Sequence, residues 1–252
     1  MGRIVALGAP PREGSVKTIG LIGGMSWEST VLYYQILNRT VAERMGGLHS
    51  AKVLLASVDF DEIEKLQHAG RWDEAGEVLA REARRLEQAG ANFLVICTNT
   101  MHRVAPQIEG AISIPLLHIA DPTAAAIRRA GVKVVGLLGT RFTMEQSFYR
   151  GRLEREHGLE VLVPPTSDIT VVHNVIYDEL CRGRVLDASR AQLRRVIGGL
   201  VARGAQGIVL GCTEITMLVG PSDSPVPLFD TTELHARAAA LRAVDDSSAG
   251  SP

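Results

Sequence analysis

The sequence predicts an α/β protein of two similar parallel-sheet lobes, related by pseudo-two-fold symmetry. Three observations carry this expectation. Short apolar runs ending in glycine alternate with polar, helix-like segments, as buried parallel strands covered on both faces require. Three of these segments recur in the same order at near-constant offset, the mark of an internal repeat. The 252 residues are 46% hydrophobic and 22% charged, ordinary for a globular chain with a sizeable core.

The elements follow in order. KTIGLIGG (17–24) reads as a buried strand entering a tight turn, and VKVVGLLGT (132–140) reads the same way. Gly20 falls on Gly136, an offset of 136 − 20 = 116. SWESTVLYYQILNRTVAERM (26–45) has helical apolar spacing, with Ser26 or Ser29 as N-cap. WDEAGEVLAREARRLEQAG (72–90) reads as a polar helix stopped by glycine, and ASRAQLRRVIGGLVARG (188–204) as its counterpart. Each leads into a strand: AGANFLVICTNT (89–100) and RGAQGIVLGCTE (203–214), where Ala91 falls on Ala205 at an offset of 205 − 91 = 114. SIPLLHIADPTAAA (113–126) and PVPLFDTTELHARAAA (225–240) complete the series, with Pro115 on Pro227 at 227 − 115 = 112. The expected organisation is a flexible extension over 1–16 and a first lobe over 17–121, completed by 231–243. A second lobe over 122–230 and a disordered tail over 244–252 follow.

Composition excludes several classes. A net charge of −1 gives no reason to expect nucleic acid or an anionic membrane as partner. No apolar run approaches the ~20 residues of a membrane span. The N-terminal MGRIVALGAPPREGSV has too short an apolar patch for a signal peptide. The three cysteines, Cys97, Cys181 and Cys212, have no metal-knuckle spacing, so free thiols, a cytoplasmic location and no metal are expected. The four lysines, Lys17, Lys52, Lys65 and Lys133, avoid the loops after buried strands, which argues against a lysine-tethered cofactor. GLIGGMS lacks the spacing of a nucleotide-binding glycine loop.

In parallel α/β sheets ligands bind beyond the carboxyl ends of the strands. That directs attention to GGMSWEST, CTNTMH, GTRFTMEQ and GCTEIT. At the 114 offset Thr98 falls on Cys212, Asn99 on Thr213 and Thr100 on Glu214. Cys97 is one step back on its strand, so alternation turns its side chain into the interior. Cys181, one helical turn from Tyr177, reads as core. Cys212 sits at a strand-to-helix turn whose backbone N–H groups would favour a thiolate.

Two groups contributed to one cleft from opposite lobes suit racemisation. One removes a proton from a stereocentre and the other returns one to the opposite face. A thiol fits because its pKa can be tuned towards neutrality. Fixed donors must stabilise the enolate-like charge, and Asn99, Thr100 and Thr213 with backbone N–H groups are the candidates. Glu214 is either a ligand for a substrate ammonium or a first-turn acid facing a helix dipole. His102 either supports Thr98 or lies solvated on a helix. His118 reads as a near-core histidine, with His235 its rough counterpart. Met25 and Trp27 wall the cleft or pack beneath it. Arg81, Arg84 and Arg85, interleaved with Glu82 and Glu87, read as a solvated helix face.

At these residues the sequence resembles the aspartate/glutamate/hydantoin racemase family, in its cofactor-independent aspartate racemase branch. IGLIGGMSWEST, TNTMH and GCTEI carry the resemblance, supported by LLGTRFTMEQSFYRGRL. It looks especially close to the broad-specificity amino-acid racemases of enteric bacteria, which also carry CTNTMH. The resemblance implies two α/β domains, a homodimer, an interdomain site, an amino-acid substrate and no cofactor. Most of the family writes Cys-Asn-Thr where this chain has Thr98-Asn99-Thr100, so the first family cysteine maps to Thr98. Thr98 and Cys212 are then the catalytic pair, with Gly24, Met25, Asn99, Thr100, Thr213 and Glu214 around the substrate. The family's aspartate racemases hold two carboxylates with an arginine and a lysine. SVDFDEIEKLQHAG (57–70) and SDITVVHNVIYDEL (167–180) offer neither at the expected spots, only an outward Lys65 and His173. A weaker side-chain carboxylate grip suggests tolerance of several amino acids. The alternatives are an arylmalonate-type decarboxylase with a single working cysteine and a non-catalytic amino-acid sensor.

Overall fold

The computed structural model describes residues 16–245. The expected flexible ends, 1–16 and 244–252, lie outside the described residues except for Val16, Val244 and Asp245. The first half runs β1 (Ile19–Gly23), α1 (Trp27–Met45), β2 (Val53–Ser57), α2 (Phe60–His68), α3 (Trp72–Gln88) and β3 (Phe93–Ile96). It continues through α4 (Ala105–Glu109), β4 (Leu116–Leu117) and α5 (Ala120–Arg129). The second half runs β5 (Val134–Gly139), α6 (Arg141–Glu145), α7 (Ser147–Arg155), β6 (Glu160–Leu162) and α8 (Thr166–Asn174). It ends with α9 (Asp187–Ala202), β7 (Gly207–Gly211), β8 (Leu228–Asp230) and α10 (Thr231–Val244).

The strands form two four-stranded parallel sheets, ordered β2-β1-β3-β4 and β6-β5-β7-β8. Their registers match position for position. Gly20 pairs with Leu94 in one sheet, and Gly136 with Ile208 in the other. Leu94 pairs with Leu116, and Ile208 with Leu228. These are the positions related by offsets of 116, 114 and 112, so the sequence repeat is a repeat of hydrogen-bonded register. The central strands β1, β3 and β7 are buried along their whole length because helices cover both faces.

Two helices change sides. α5 follows β4 of the first sheet, yet Ile119, Ala120, Ala124 and Ile127 pack into the core of Leu137, Leu138 and Leu210 on the second. α10 follows β8 of the second sheet, yet Ala236, Ala239, Ala240 and Ala243 pack with Tyr33, Leu37 and Val41 of α1. The alanines let the two helices approach closely. The Tyr33 hydroxyl donates to His235 Nδ1 at 2.8 Å, and His235 Nε2–H donates to the Leu117 carbonyl at 2.8 Å. Burial lowers the His235 pKa to about 4, so the ring stays neutral with both nitrogens used.

Ser26 is the N-cap of α1, accepting from the Ser29 amide. Just before it the chain turns at Gly24, with φ of +90°. A Cβ there would lie 2.2 Å from the Val58 carbonyl oxygen. Gly24→Ala is therefore expected to lower stability by about 2–4 kcal/mol, from a left-handed backbone and an unrelieved backbone clash. Urea denaturation checks this, and an unchanged midpoint would contradict it. No helix among the described residues is long and apolar enough to cross a membrane.

Candidate active site

The carboxyl ends of β1, β3, β5 and β7 deliver four turns to one place. A small cavity of about 20 Å³ lies there. The turn after β3 supplies Thr98, Asn99 and Thr100, and the turn after β7 supplies Gly211, Cys212, Thr213 and Glu214. Met25 and Thr140 come from the turns after β1 and β5. Thr98 and Cys212, repeat-equivalent by sequence, line the same cavity. Cys97 is fully buried, in the core under α1 and α10.

The second turn is organised by Glu214, which is buried and draws four donors. Ser26 Oγ and Ser29 Oγ donate to its Oε1 at 2.7 and 2.9 Å. Cys212 Sγ–H and Thr213 Oγ1–H donate to its Oε2 at 2.9 and 2.6 Å. The Ser29 and Thr213 hydroxyls also touch. Four donors fill the acceptor sites of a carboxylate. Glu214 is thus a buried acid in the first turn after Cys212, with its acceptor positions occupied by these donors. It joins the start of α1 to the turn after β7.

The expectation that the turn favours a thiolate at Cys212 is corrected here. Burial pushes the thiol well above its ordinary range, and the Glu214 carboxylate raises it further. The following helical turn, Thr213–Met217, is only five residues long. Cys212 therefore rests as a thiol donating to Glu214.

Asn99 Nδ2 donates to Thr231 Oγ1 at 3.0 Å. The Thr231 hydroxyl hydrogen goes to the Leu210 carbonyl at 2.8 Å, which fixes the amide's orientation. Asn99 Oδ1 is left buried without a partner. Asn99, expected to be a donor, thus spends its N–H on the fold and keeps an acceptor in reserve. The Thr100 hydroxyl bonds that of Thr140 at 3.1 Å.

Other expectations shift. Gly24 is not among the residues lining the cavity, and its amide donates to Thr30 Oγ1 at 2.9 Å. Trp27 neither walls the cavity nor packs beneath it: as the first residue of α1 it points outward and is 65% exposed. His102 is not solvated but buried, its Nδ1 2.8 Å from the Thr98 carbonyl oxygen. Cys181, expected in the core, is only half-buried and lines the cavity wall. The helix carrying it bends through a π-helical turn, Val175–Glu179, and ends in a tight turn that sets Cys181 at the cavity.

Sequence reasoning missed Phe60, Gln67, Ile176 and Tyr177, which complete the wall. The Tyr177 hydroxyl donates to Gln67 Oε1 at 3.3 Å, across 110 positions of sequence. Phe60, Tyr177 and Cys181 also line an outer groove of about 460 Å³, which contains His68, His173 and Arg182. Among the described residues, no lysine or arginine lines the inner cavity. Lys65 points outward to Asp61 at 2.5 Å, and His173 Nδ1 accepts from the Arg141 amide at 3.3 Å. Among the described residues the grouping nearest to a metal-ligand set is Asp121, Glu156 and His157. There Asp121 is already held by both ends of the Arg152 guanidinium, at 2.7 and 2.9 Å.

Comparison with known proteins agrees with this architecture. The family model described as Asp/Glu/Hydantoin racemase matches residues 22–239. A crystal structure of a candidate Asp/Glu racemase from Yersinia pestis superposes with a TM-score of 0.86 at 55% identity, covering 91% of this chain and 100% of that one. An aspartate racemase homologue from Pyrococcus horikoshii OT3 gives 0.79 at 32% identity, covering 91% and 100%. The broad specificity amino-acid racemase RacX of Bacillus subtilis (strain 168) is 25% identical over 165 residues, 66% of this chain and 70% of that protein.

Proposed function

This chain belongs to the Asp/Glu/hydantoin racemase family, and from that premise we propose that it is a cofactor-independent amino-acid racemase working between two lobes with Thr98 and Cys212. The lobes are read as 17–121 with 231–243, and 122–230. The observation that carries the reading is that two repeat-equivalent residues, from the turns after β3 and β7, line one cavity. A stereocentre held there meets a different proton carrier on each face.

Glu214 takes the Cys212 proton, and the thiolate removes the α-proton from one enantiomer. The carbanion is then protonated on its other face by the Thr98 hydroxyl or a water it holds. The proton parked on Glu214 returns through solvent to the oxygen just emptied. Atoms and charge balance over the cycle. Asn99 Oδ1, a buried acceptor without a partner, suits the substrate ammonium. Thr100 and the backbone amides of the turns suit the carboxylate, whose charge grows in the transition state.

That no lysine or arginine is among the described residues lining the inner cavity favours a substrate whose side chain is not gripped there as a carboxylate. Neutral amino acids are then expected to turn over at least as fast as aspartate. Screening single L- and D-amino acids for loss of optical purity tests this, and strict dependence on acidic side chains would contradict it. A threonine hydroxyl is a poor base near neutral pH, so the two directions should differ in rate, while equilibrium keeps both enantiomers equal. Hydrogen–deuterium exchange started from each enantiomer measures this, and equal wash-in rates would count against it. Thr98→Cys is expected to raise turnover in the slow direction roughly tenfold, because a thiol is a better-matched acid and base than a hydroxyl. A folded variant with no gain would remove Thr98 from the proton-transfer position.

A further inference from the structure

Behind Thr98 lies a group that the proposed reaction leaves unused. The chain leaves β3 and enters a tight helical turn, Thr100–Val104, in which the His102 amide bonds the Asn99 carbonyl at 3.1 Å. The carbonyl of Thr98 receives a side chain instead, that of His102. Just ahead of α5, the Ile119 amide donates to His102 Nε2 at 3.2 Å. A nitrogen that accepts carries no hydrogen, so the neutral ring bears its proton on Nδ1 and donates it to Thr98 O at 2.8 Å. The imidazole replaces two backbone hydrogen bonds with one rigid strut.

The strut's surroundings favour its neutral form. The ring meets His118 edge-on at 4.5 Å between centroids and His235 at 5.9 Å. His118 Nδ1 accepts from the Ala120 amide at 3.2 Å, and His235 is held between Tyr33 and Leu117. Burial, then His118, lowers the His102 pKa well below its ordinary value. A charged ring would have to donate from both nitrogens, and Ile119 N–H is itself a donor.

The strut also spans the fold. Thr98 lies in the turn after β3 of the first sheet, while Ile119 immediately precedes α5, the helix that packs on the second. The position of the Thr98 backbone, and so the direction of its side chain into the cavity, is tied to the opposite core. The Cys212 carbonyl instead accepts an ordinary backbone bond from the Ile215 amide at 3.2 Å, and its sulfur donates to Glu214.

We infer that His102 is the positioning residue for Thr98: it fixes the hydroxyl's approach to the substrate and moves no proton itself. This rests on the Thr98–Cys212 reading above. It makes the two proton-transfer sites separable by a residue that touches neither substrate nor sulfur.

The test compares His102→Phe, which keeps the ring's bulk and loses both bonds, with His102→Gln, which keeps one donor and one acceptor. Purified enzyme is incubated in D₂O with each enantiomer. His102→Phe is expected to slow inversion on the order of 100-fold, the cost of misplacing a reacting group by about 1 Å. For the enantiomer that Cys212 serves, deuterium entry with retained configuration should stay within about twofold of wild type. His102→Gln should recover most of the inversion, and no variant should change the shape of the pH profile. Equal loss of inversion and retained exchange in His102→Phe would overturn the assignment. So would loss of a pH limb, which would make His102 a proton carrier. Should His102→Phe not fold, ¹⁵N NMR of the wild-type imidazole decides. The Nδ1-protonated neutral tautomer should persist from pH 5 to 9, and an Nε2-protonated or titrating ring would refute the strut. A wild-type protein that exchanges neither enantiomer would instead sink the racemase reading, and the tautomer result would stand apart from it.

Discussion

Cys212→Ser is expected to cut racemisation roughly 1,000-fold in both directions, with the fold intact. The side chain is nearly isosteric, and a serine hydroxyl can donate to Glu214 as the thiol does. What changes is acidity. A buried hydroxyl is far harder to ionise than a buried thiol, so the base that begins one direction and the acid that ends the other are both lost. Inversion passes through this sulfur in both directions, whereas deuterium exchange should be lost only from the enantiomer that Cys212 serves. Optical rotation and mass spectrometry measure the two losses. A serine variant keeping a tenth of wild-type turnover would mean that another group carries the proton.

Glu214→Gln is expected to lower turnover near pH 7 on the order of 100-fold, the usual scale for a lost proton acceptor. An amide in that place accepts through one oxygen only. Its NH₂ would point at hydroxyls and a thiol that now donate to Oε1 and Oε2. It also removes a negative charge that helps hold the thiol above its ordinary pKa, so the rise of activity with pH should move to lower pH. The sign follows because a neighbouring anion disfavours thiolate formation. These effects oppose each other near neutrality. Burial is the larger cause of the raised thiol pKa and remains in the variant, so the lost acceptor dominates. A pH profile of kcat/KM checks both parts. An unshifted limb with full activity would show that Glu214 only braces the turn.

The two sheets were legible because buried parallel strands leave apolar runs, and because the offsets 116, 114 and 112 survive as paired registers. The same offset of 114 brought Thr98 and Cys212 into one cavity without any knowledge of contacts. What the sequence could not show was long-range. The alanine face of α10 reads equally well against either sheet, so the exchange of helices is a tertiary choice. Gln67 and Tyr177 meet across two separate helical segments, and neither has a local signal. His102 looks like one polar residue among many in a short turn with too few residues to show periodicity. Its burial comes from α5 and α10 arriving over it. For the resting state of Cys212, helix-start geometry alone points to a thiolate. In the folded chain burial and the acid two residues on outweigh it.

The most direct test of two-faced proton transfer is the stereochemical course of Thr98→Ala in D₂O. Starting from the enantiomer served by Cys212, the recovered substrate should gain deuterium at the α-carbon with its configuration retained, and its mirror image should not accumulate. The other enantiomer should gain none. Inversion at the wild-type rate in this variant would show that Thr98 does not serve the second face.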